Sequence, residues 1–208
     1  QPSELVKPFV VLQAANLFAH WKRTGLDQKL LWLGSFGVLV LLILKQPNLS
    51  TAALTGLLIW LMAFSAGLPL FQLFGTAIGG AMLGTASILI NEYQRLRVIS
   101  FLNPWKDPQG DGYQLIQSLL AIGSGGVFGQ GFGLSTQKLQ YLPIQSTDFI
   151  FAVYAEEFGL VGSLLLLLFL MLIGYLGLRV ALRCRSNQSR LVAIGCAALL
   201  VGQSVMNV

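Results

Sequence analysis

The sequence predicts an all-α polytopic membrane protein, with about six transmembrane helices and one large extracytoplasmic loop. Two observations support this fold class. Hydrophobic residues make up 55% of the 208 residues and charged residues 10%, whereas a soluble domain usually carries about a quarter charged residues. The hydrophobic residues also gather into long runs, and a helix needs about 20 mostly apolar residues to cross a bilayer.

Six segments are candidate spans. The first is the weakest, because it contains Glu4, Lys7 and Pro8. Gly67, Leu68 and Pro69 form a natural turn between the third and the fourth, and the fifth is long enough to tilt or to extend beyond the bilayer. The six predicted spans are 4–21, 30–44, 50–66, 69–90, 148–178 and 191–208.

The orientation in the membrane follows from the short basic loops, because cytoplasmic loops are enriched in Lys and Arg. Residues 20–29 contain three such residues and residues 179–190 contain four. Six spans place these two loops on the same side, so we expect both in the cytoplasm and the long segment 91–147 outside. The chain starts without Met and stops inside an apolar run, so we expect a piece of a longer protein.

Several other kinds of protein have little support in the sequence. Cys184 lies in a basic loop and Cys196 in an apolar run, which does not suggest a disulfide framework. A single histidine, His20, cannot build a multi-histidine metal site. The net charge of +5 comes from basic residues between the apolar runs, so membrane topology explains it and no nucleic-acid partner is expected.

Gly75, Gly79, Gly80 and Gly84 place small residues four apart along the fourth predicted span. Such faces allow two membrane helices to approach closely. They indicate either a contact for a partner protein or packing inside the helix bundle. Internal packing is the preferred interpretation.

The long outer segment holds most of the functional information, because long loops in compact proteins are often functional. Residues 113–122 have Leu115, Leu119 and Ile122 on one face, which predicts a short amphipathic helix that lies in the membrane interface or re-enters the bilayer. Residues 123–133 contain six glycines, a composition that allows tight turns or close approach to a ligand. This run lacks the Gly-Lys-Ser/Thr sequence that ends a Walker A motif.

Asp148 stands where the outer segment enters the fifth predicted span. A carboxylate at the N-terminus of a helix is favoured by the helix dipole and can cap free amides. The alternative is a general base at the membrane surface, held beside apolar walls. The residues alone leave both interpretations open.

Two further acidic sites lie inside predicted spans, where charge is costly. Glu156 and Glu157 follow Asp148 on the same predicted helix, and at about 100° per residue only Glu156 shares its face. Glu4 and Lys7 are spaced so that they can pair on one helix face. Each site either lines a polar cavity or makes only an internal contact.

Five stretches together resemble the SEDS family of shape, elongation, division and sporulation proteins, which includes FtsW, RodA and SpoVE. The most specific is the run 141–159, which contains Asp148. Two residues in it depart from the family pattern Pro-Glu-x-His-Thr-Asp, since Ile144 and Ser146 replace the Glu and the His. The five stretches lie at 1–7, 46–52, 101–118, 129–133 and 141–159.

Within the family, two short stretches lean toward the division member. Residues 103–105 and 137–139 are most like FtsW, whereas residues 121–126 lean toward RodA, the elongation member. The FtsW-like interpretation is preferred, and a RodA-like elongation polymerase is the alternative.

The resemblance implies a fold of about ten transmembrane helices, of which residues 1–208 form one domain with about six. It implies a multi-pass protein of the bacterial cytoplasmic (inner) membrane with its active site on the extracytoplasmic side. Family members polymerise lipid II with release of undecaprenyl diphosphate. They work with a class B penicillin-binding protein, which is a transpeptidase, and with other divisome or elongasome membrane proteins. A lipid II flippase and a scaffold that only recruits the transpeptidase are the alternatives.

The resemblance also implies roles for individual residues. Asp148 would be the general base that takes the proton of the acceptor hydroxyl. Arg95, Arg97 and Lys138, or a divalent cation (Mg²⁺ or Mn²⁺), would neutralise the departing diphosphate. No cofactor or metal site is evident in the sequence, and the alternative for the two arginines is contact with lipid headgroups. The residues expected in a polar cavity in supporting roles are Glu4, Lys7 and Glu156.

Overall fold

The computed structural model describes residues 2–46, 48–110, 112–134 and 150–207. Within these ranges the chain forms eight α-helices, one short 3-10 helix and no β-strand, which confirms the predicted all-α fold class. The α-helices are α1 (Pro2–Ala19), α2 (Leu26–Lys45), α3 (Leu49–Ser65), α4 (Leu70–Ile90), α5 (Glu92–Leu102), α6 (Tyr113–Ser124), α7 (Ile150–Arg183) and α8 (Asn187–Met206), and the 3-10 helix is Pro104–Lys106.

Four of the helices, α2, α4, α7 and α8, are long and apolar enough to cross a membrane. The other two predicted spans are also helical. However, α3 has 17 residues, and α1 carries Glu4, Lys7 and Pro8 in its N-terminal part. All six predicted spans therefore correspond to helices, and four of them have the length and composition that a bilayer requires.

The distribution of polar and apolar side chains is that of a membrane protein. The large apolar side chains of Phe71 and Ile90 are 89% and 85% exposed, whereas Lys7, Thr55 and Glu156 are buried. A water-soluble protein places most charged residues outside and buries most of its large apolar residues. The exposed apolar surface therefore indicates lipid as the surroundings of these helices.

The described residues form two compact units. The first comprises Gln1–Asn91 and Ile173–Gln203, and the second comprises Glu92–Leu172 and Ser204–Val208, in each case through their described residues. In the first unit, α3 packs against α1, α2 and α4. Its core includes side chains from α1, α3 and α8, namely Val11, Ala14, Leu58, Met62 and Leu191.

Small residues allow the helices of the first unit to approach closely. A methyl group on Gly195 of α8 would lie 2.6 Å from a side-chain carbon of Val11 and 2.9 Å from the sulfur of Met62. A methyl group on Gly177 of α7 would collide with the side chain of Ala197 of α8. Glycine at these two positions therefore lets α8 pack closely against its neighbours.

The glycine face of α4 is open. A methyl group added to Gly75, Gly79, Gly80 or Gly84 would meet no atom within 4 Å. Three of these glycines line an apolar cavity of about 1010 Å³ between α2, α3 and α4. No described residue therefore packs tightly against these glycines, and the choice between packing inside the helix bundle and contact with a partner protein stays a prediction.

In the second unit, α6 confirms the short amphipathic helix predicted in the outer segment. Ile116, Ser118 and Ala121 form its buried side. Leu119 and Ile122, on the opposite side, are exposed. The apolar face predicted from the sequence thus points away from the core of this unit, as an interfacial helix requires.

Candidate active site

The long helix α7 is broken at Gly159. The backbone there has φ 66° and ψ −163°, a combination that essentially only glycine adopts. The break divides α7 into a first half, residues 150–158, and a second half, residues 160–183. The fifth predicted span is therefore helical on both sides of a break, and an apolar run carries no signal for a break that a distant segment stabilises.

A glycine-rich segment that follows α6 fills this break, and we call residues 125–131 the glycine clamp. Its amides donate to the last carbonyls of the first half of α7, and its carbonyls accept from the first amides of the second half. The four nitrogen–oxygen pairs are Gln130 N to Glu156 O (2.9 Å), Gly131 N to Glu157 O (3.1 Å), Leu160 N to Gly126 O (2.9 Å) and Val161 N to Val127 O (3.1 Å). Backbone groups freed at a break within a membrane need such partners inside the protein, and the clamp supplies them.

Glycine is required in the clamp because the two backbones touch. Gly129 has φ 81°, and a methyl group on it would collide with the carbonyl oxygen of Glu157. A methyl group on Gly159 would collide with the amide nitrogen of Gly129, and one on Gly125 with the carbonyl oxygen of Ala155. The close approach that the glycines allow is therefore an approach to the backbone of α7.

Glu156 and Glu157 lie at the C-terminal end of the first half of α7, with exposures of 0% and 6%. The helix dipole disfavours negative charge at that end, and burial of a carboxylate adds a desolvation cost. Charged residues placed at such cost within a membrane helix are candidates for a functional site. The structure buries both carboxylates, and the prediction that only Glu156 shares the face of Asp148 stays a prediction, because Asp148 lies outside the described residues.

A second polar cluster lies in the first unit and joins α1 to α8. Lys7, 3% exposed, donates to the two carboxylate oxygens of Glu4 at 2.7 Å and to the side-chain oxygen of Gln203 at 2.8 Å. The Gln203 amide donates in turn to Glu4 at 2.5 Å. The predicted pairing of Glu4 with Lys7 is confirmed. Sequence reasoning missed Gln203, although a polar residue within an apolar span is itself a signal of an internal contact.

Arg95 and Arg97 lie on the surface of α5. The Arg95 guanidinium is 3.6 Å from the Glu92 carboxylate, with side-chain exposures of 52% and 77%, and Arg97 is exposed as well. An exposed pair of this kind contributes little to stability, so the structure gives Arg95 no strong structural role. Neutralisation of a diphosphate stays a prediction for both arginines, with headgroup contact as its alternative.

Two predicted site residues, Asp148 and Lys138, lie outside the described residues. Within the described ranges, no group of three His, Cys, Asp or Glu side chains could hold a metal ion. The divalent cation therefore stays a prediction without identified ligands. The shared polar cavity of Glu4, Lys7 and Glu156 also stays a prediction. The described residues thus provide one polar cluster in each unit, the carboxylates beside the clamp in the second unit and the ammonium–carboxylate cluster of α1 in the first.

The chain is similar to known proteins along its whole length. The family model for FtsW, RodA and SpoVE, described as "Cell cycle protein", matches residues 1–208. The chain is 58% identical to a "Probable peptidoglycan glycosyltransferase FtsW" of Synechocystis sp. and 49% identical to a "Putative peptidoglycan glycosyltransferase FtsW" of Mesostigma viride. These alignments cover 100% of this chain and 53% and 50% of the two relatives. The chain therefore spans about half the length of the curated relatives it matches.

A more distant relative and a solved structure agree with this result. The chain is 34% identical over 211 residues to "Stage V sporulation protein E" of Bacillus subtilis, and the alignment covers 100% of this chain and 58% of that protein. A solved structure described as "Structural coordination of polymerization and crosslinking by a peptidoglycan synthase complex" matches with a TM-score of 0.70 and 28% identity, covering 100% of this chain and 58% of that one. The predicted polytopic helical fold is thereby confirmed.

Proposed function

This chain belongs to the FtsW/RodA/SpoVE family, as its sequence motifs predicted, and we propose that it forms part of a peptidoglycan glycosyltransferase. The observation that carries the proposal is the similarity, along the whole chain, to relatives that are named as enzymes of that kind. The buried carboxylates beside the glycine clamp support it, because charge buried at such a cost is typical of functional sites.

The proposed reaction extends a glycan strand with lipid II as substrate. The acceptor hydroxyl oxygen attacks the anomeric carbon of the donor sugar, a glycosidic C–O bond forms, and the bond from that carbon to the diphosphate oxygen breaks. Undecaprenyl diphosphate leaves with the electron pair, and the acceptor proton passes to a base. Such proton transfer needs a carboxylate within hydrogen-bond distance of the attacking hydroxyl.

Asp148 is the base in this proposal, since it precedes the first half of α7 directly. Arg95, Arg97 and Lys138 neutralise the negative charge that develops on the leaving diphosphate, with Mg²⁺ or Mn²⁺ as the alternative source of positive charge. Glu156 does not react and instead supports the site from the end of the same half-helix.

The whole protein is proposed to work in the bacterial cytoplasmic (inner) membrane, with its site on the extracytoplasmic side. The basic loops at 20–29 and 179–190 support this orientation. A class B penicillin-binding protein is the proposed partner, alongside other divisome membrane proteins, and the similar structure described as a peptidoglycan synthase complex supports it. The relatives named FtsW support a role in cell division, and elongation is the alternative.

The test is lipid II polymerisation by the full-length protein with its cognate transpeptidase, comparing wild type with Asp148→Asn. The substitution keeps the shape of the side chain and removes its basicity, so we expect strand synthesis to fall by about 100-fold or more. The matched control is Asp107→Asn, because the Asp107 side chain is exposed and accepts a hydrogen bond from the Gly110 amide at 3.1 Å. Equal synthesis by wild type and Asp148→Asn would remove Asp148 from the mechanism.

A lipid II flippase is the second candidate function, because carboxylates inside membrane helices also occur along transport paths. Vesicles that contain the full-length protein and fluorescent lipid II separate the two. Strand synthesis without movement of lipid II between leaflets supports the polymerase. Movement of lipid II without strand synthesis, in the presence of the transpeptidase, would replace the polymerase proposal by transport.

A further inference from the structure

The glycine clamp connects two parts of the second unit that sequence reasoning treated as separate. One part is the glycine-rich segment after α6, and the other is the break in α7 at Gly159. Four backbone hydrogen bonds join them, two on each side of the break. Because the bonds involve both halves of α7, the clamp fixes each half relative to the same short segment.

This connection depends on two glycines that face each other. Gly129 and Gly159 both have positive φ, 81° and 66°, and each would place a methyl group against backbone atoms of the other segment. Backbone atoms cannot yield to a methyl group as a flexible side chain can, so a larger residue at either position must separate the clamp from α7. Gly126 differs, because a methyl group there meets no atom within 4 Å.

The first half of α7, which the clamp fixes, lies next to the residues proposed to act in the reaction. The first half of α7 ends with Glu156 and Glu157, whose carbonyl groups the clamp holds directly. It begins at Ile150, two residues after Asp148 in the sequence. A fixed half-helix orients groups at both of its ends, and small displacements of a catalytic group cost large factors in rate.

We propose that Gly129 and Gly159 are positioning residues for glycan-strand synthesis, which they support by locking the first half of α7 to the glycine clamp. This inference rests on the proposed function, because it assigns the clamp to the same reaction. A positioning role differs from a purely structural role in its effect on the turnover number. Loosening the clamp lowers the turnover number while the protein stays inserted and assembled.

The experiment compares Gly129→Ala and Gly159→Ala with wild type in the full-length protein bound to its transpeptidase. Hydrogen exchange followed by mass spectrometry reports the clamp through the amides of Gln130, Gly131 and Leu160. In both variants we expect these amides to exchange about tenfold faster, since local opening becomes easier. We expect kcat for lipid II polymerisation to fall about tenfold or more, with KM changed less than about threefold.

Two controls match the variants in composition but not in contact. Gly123→Ala adds a methyl group within α6 that meets no atom within 4 Å. Gly34→Ala adds a methyl group within α2, outside the clamp, that likewise meets no atom within 4 Å. Both controls should keep wild-type exchange and wild-type kcat. Loss of kcat in these controls equal to that in Gly159→Ala would overturn the assignment to the two glycines.

A second pair of variants covers the case in which Gly129→Ala or Gly159→Ala does not fold. Leu160→Pro removes the amide that donates to Gly126 O, at the start of a half-helix where proline is well tolerated. Leu160→Ala keeps that amide and removes the same exposed side chain. The proposal expects faster exchange and lower kcat in Leu160→Pro alone. Equal kcat in the two Leu160 variants would overturn it.

The readouts separate this inference from the proposed function. Asp148→Asn should lose strand synthesis with clamp exchange unchanged, whereas the clamp variants should change both. An active wild type with faster exchange and full kcat in the clamp variants would overturn the positioning role and leave the polymerase intact. A wild type that makes no strands would overturn the proposed function and the positioning role together. Unchanged hydrogen exchange in every clamp variant would show that the substituted groups do not hold the clamp against α7, and would overturn the positioning role.

Discussion

The Lys7 ammonium lies 2.8 Å from the side-chain oxygen of Gln203, a residue 196 positions further along the chain. The same ammonium contacts both carboxylate oxygens of Glu4 at 2.7 Å. A buried ammonium is tolerated only when its donors are satisfied and its charge is balanced. Gln203 therefore completes the surroundings of Lys7 and ties α8 to α1.

Replacement of Gln203 by leucine should destabilise the protein. Gln203→Leu removes one acceptor from Lys7 and one donor from Glu4, and loss of hydrogen bonds to charged groups costs about 1–3 kcal/mol. Thermal unfolding of the full-length protein in detergent should show a lower Tm. Gln72→Leu, at an exposed position of α4, is the control that should keep the wild-type Tm. Equal Tm values for the two variants would contradict the network.

The pair Glu4 and Lys7 should show energetic coupling. Lys7→Met leaves the Glu4 carboxylate without its ammonium, whereas Glu4→Gln combined with Lys7→Met removes both charges. The Glu4 side chain is 33% exposed, so water compensates in part, and we expect a coupling energy of about 0.5–3 kcal/mol, at the lower end of that range. Thermal unfolding of the wild type, the two single variants and the double variant measures it. Additive effects would show that the two charges do not stabilise each other.

Sequence reasoning succeeded where the signal is local. All six predicted spans are helices, because an α-helix satisfies the backbone of a span internally and a long apolar run has few alternatives. The Glu4–Lys7 pair was predictable because both residues lie within one turn of the same helix. The orientation of α6 followed from the spacing of its apolar residues.

The parts that escaped prediction depend on partners distant in the sequence. The break at Gly159 exists because the clamp supplies hydrogen bonds from another segment, and nothing within the run of α7 specifies that partner. The structural role of Gln203 depends on its contact with Lys7, which belongs to a different helix. The glycines of α4 have a spacing typical of close packing, yet a methyl group on any of them meets no described atom within 4 Å.

Gly195 should be intolerant of even the smallest side chain. Gly195→Ala places a methyl group against Val11 and Met62, and overpacking of a dense core costs about 1–3 kcal/mol. Gly79→Ala is the control, because a methyl group there meets no atom within 4 Å and alanine favours the helix by about 0.5–1 kcal/mol. Thermal unfolding should show a lower Tm for Gly195→Ala and an equal or higher Tm for Gly79→Ala. The reverse order would show that the core near Gly195 has free space.

The buried carboxylates of α7 should matter more for activity than for stability. Glu156→Gln and Glu157→Gln keep the shape of each side chain and remove a charge that the helix dipole disfavours, a relief of about 0.3–1 kcal/mol. We therefore expect a Tm equal to or above that of the wild type, together with strand synthesis reduced about tenfold or more, as is common when functional residues are removed. Glu92→Gln, at an exposed position, should change neither quantity.

Thermal unfolding and lipid II polymerisation, measured on the same preparations of the full-length protein with its transpeptidase, decide between the two roles of these carboxylates. A lower Tm with full strand synthesis would assign Glu156 and Glu157 to the packing of the second unit. A loss of synthesis at unchanged Tm would assign them to the reaction, because a contact that exists only to hold the fold cannot be removed without a cost in stability.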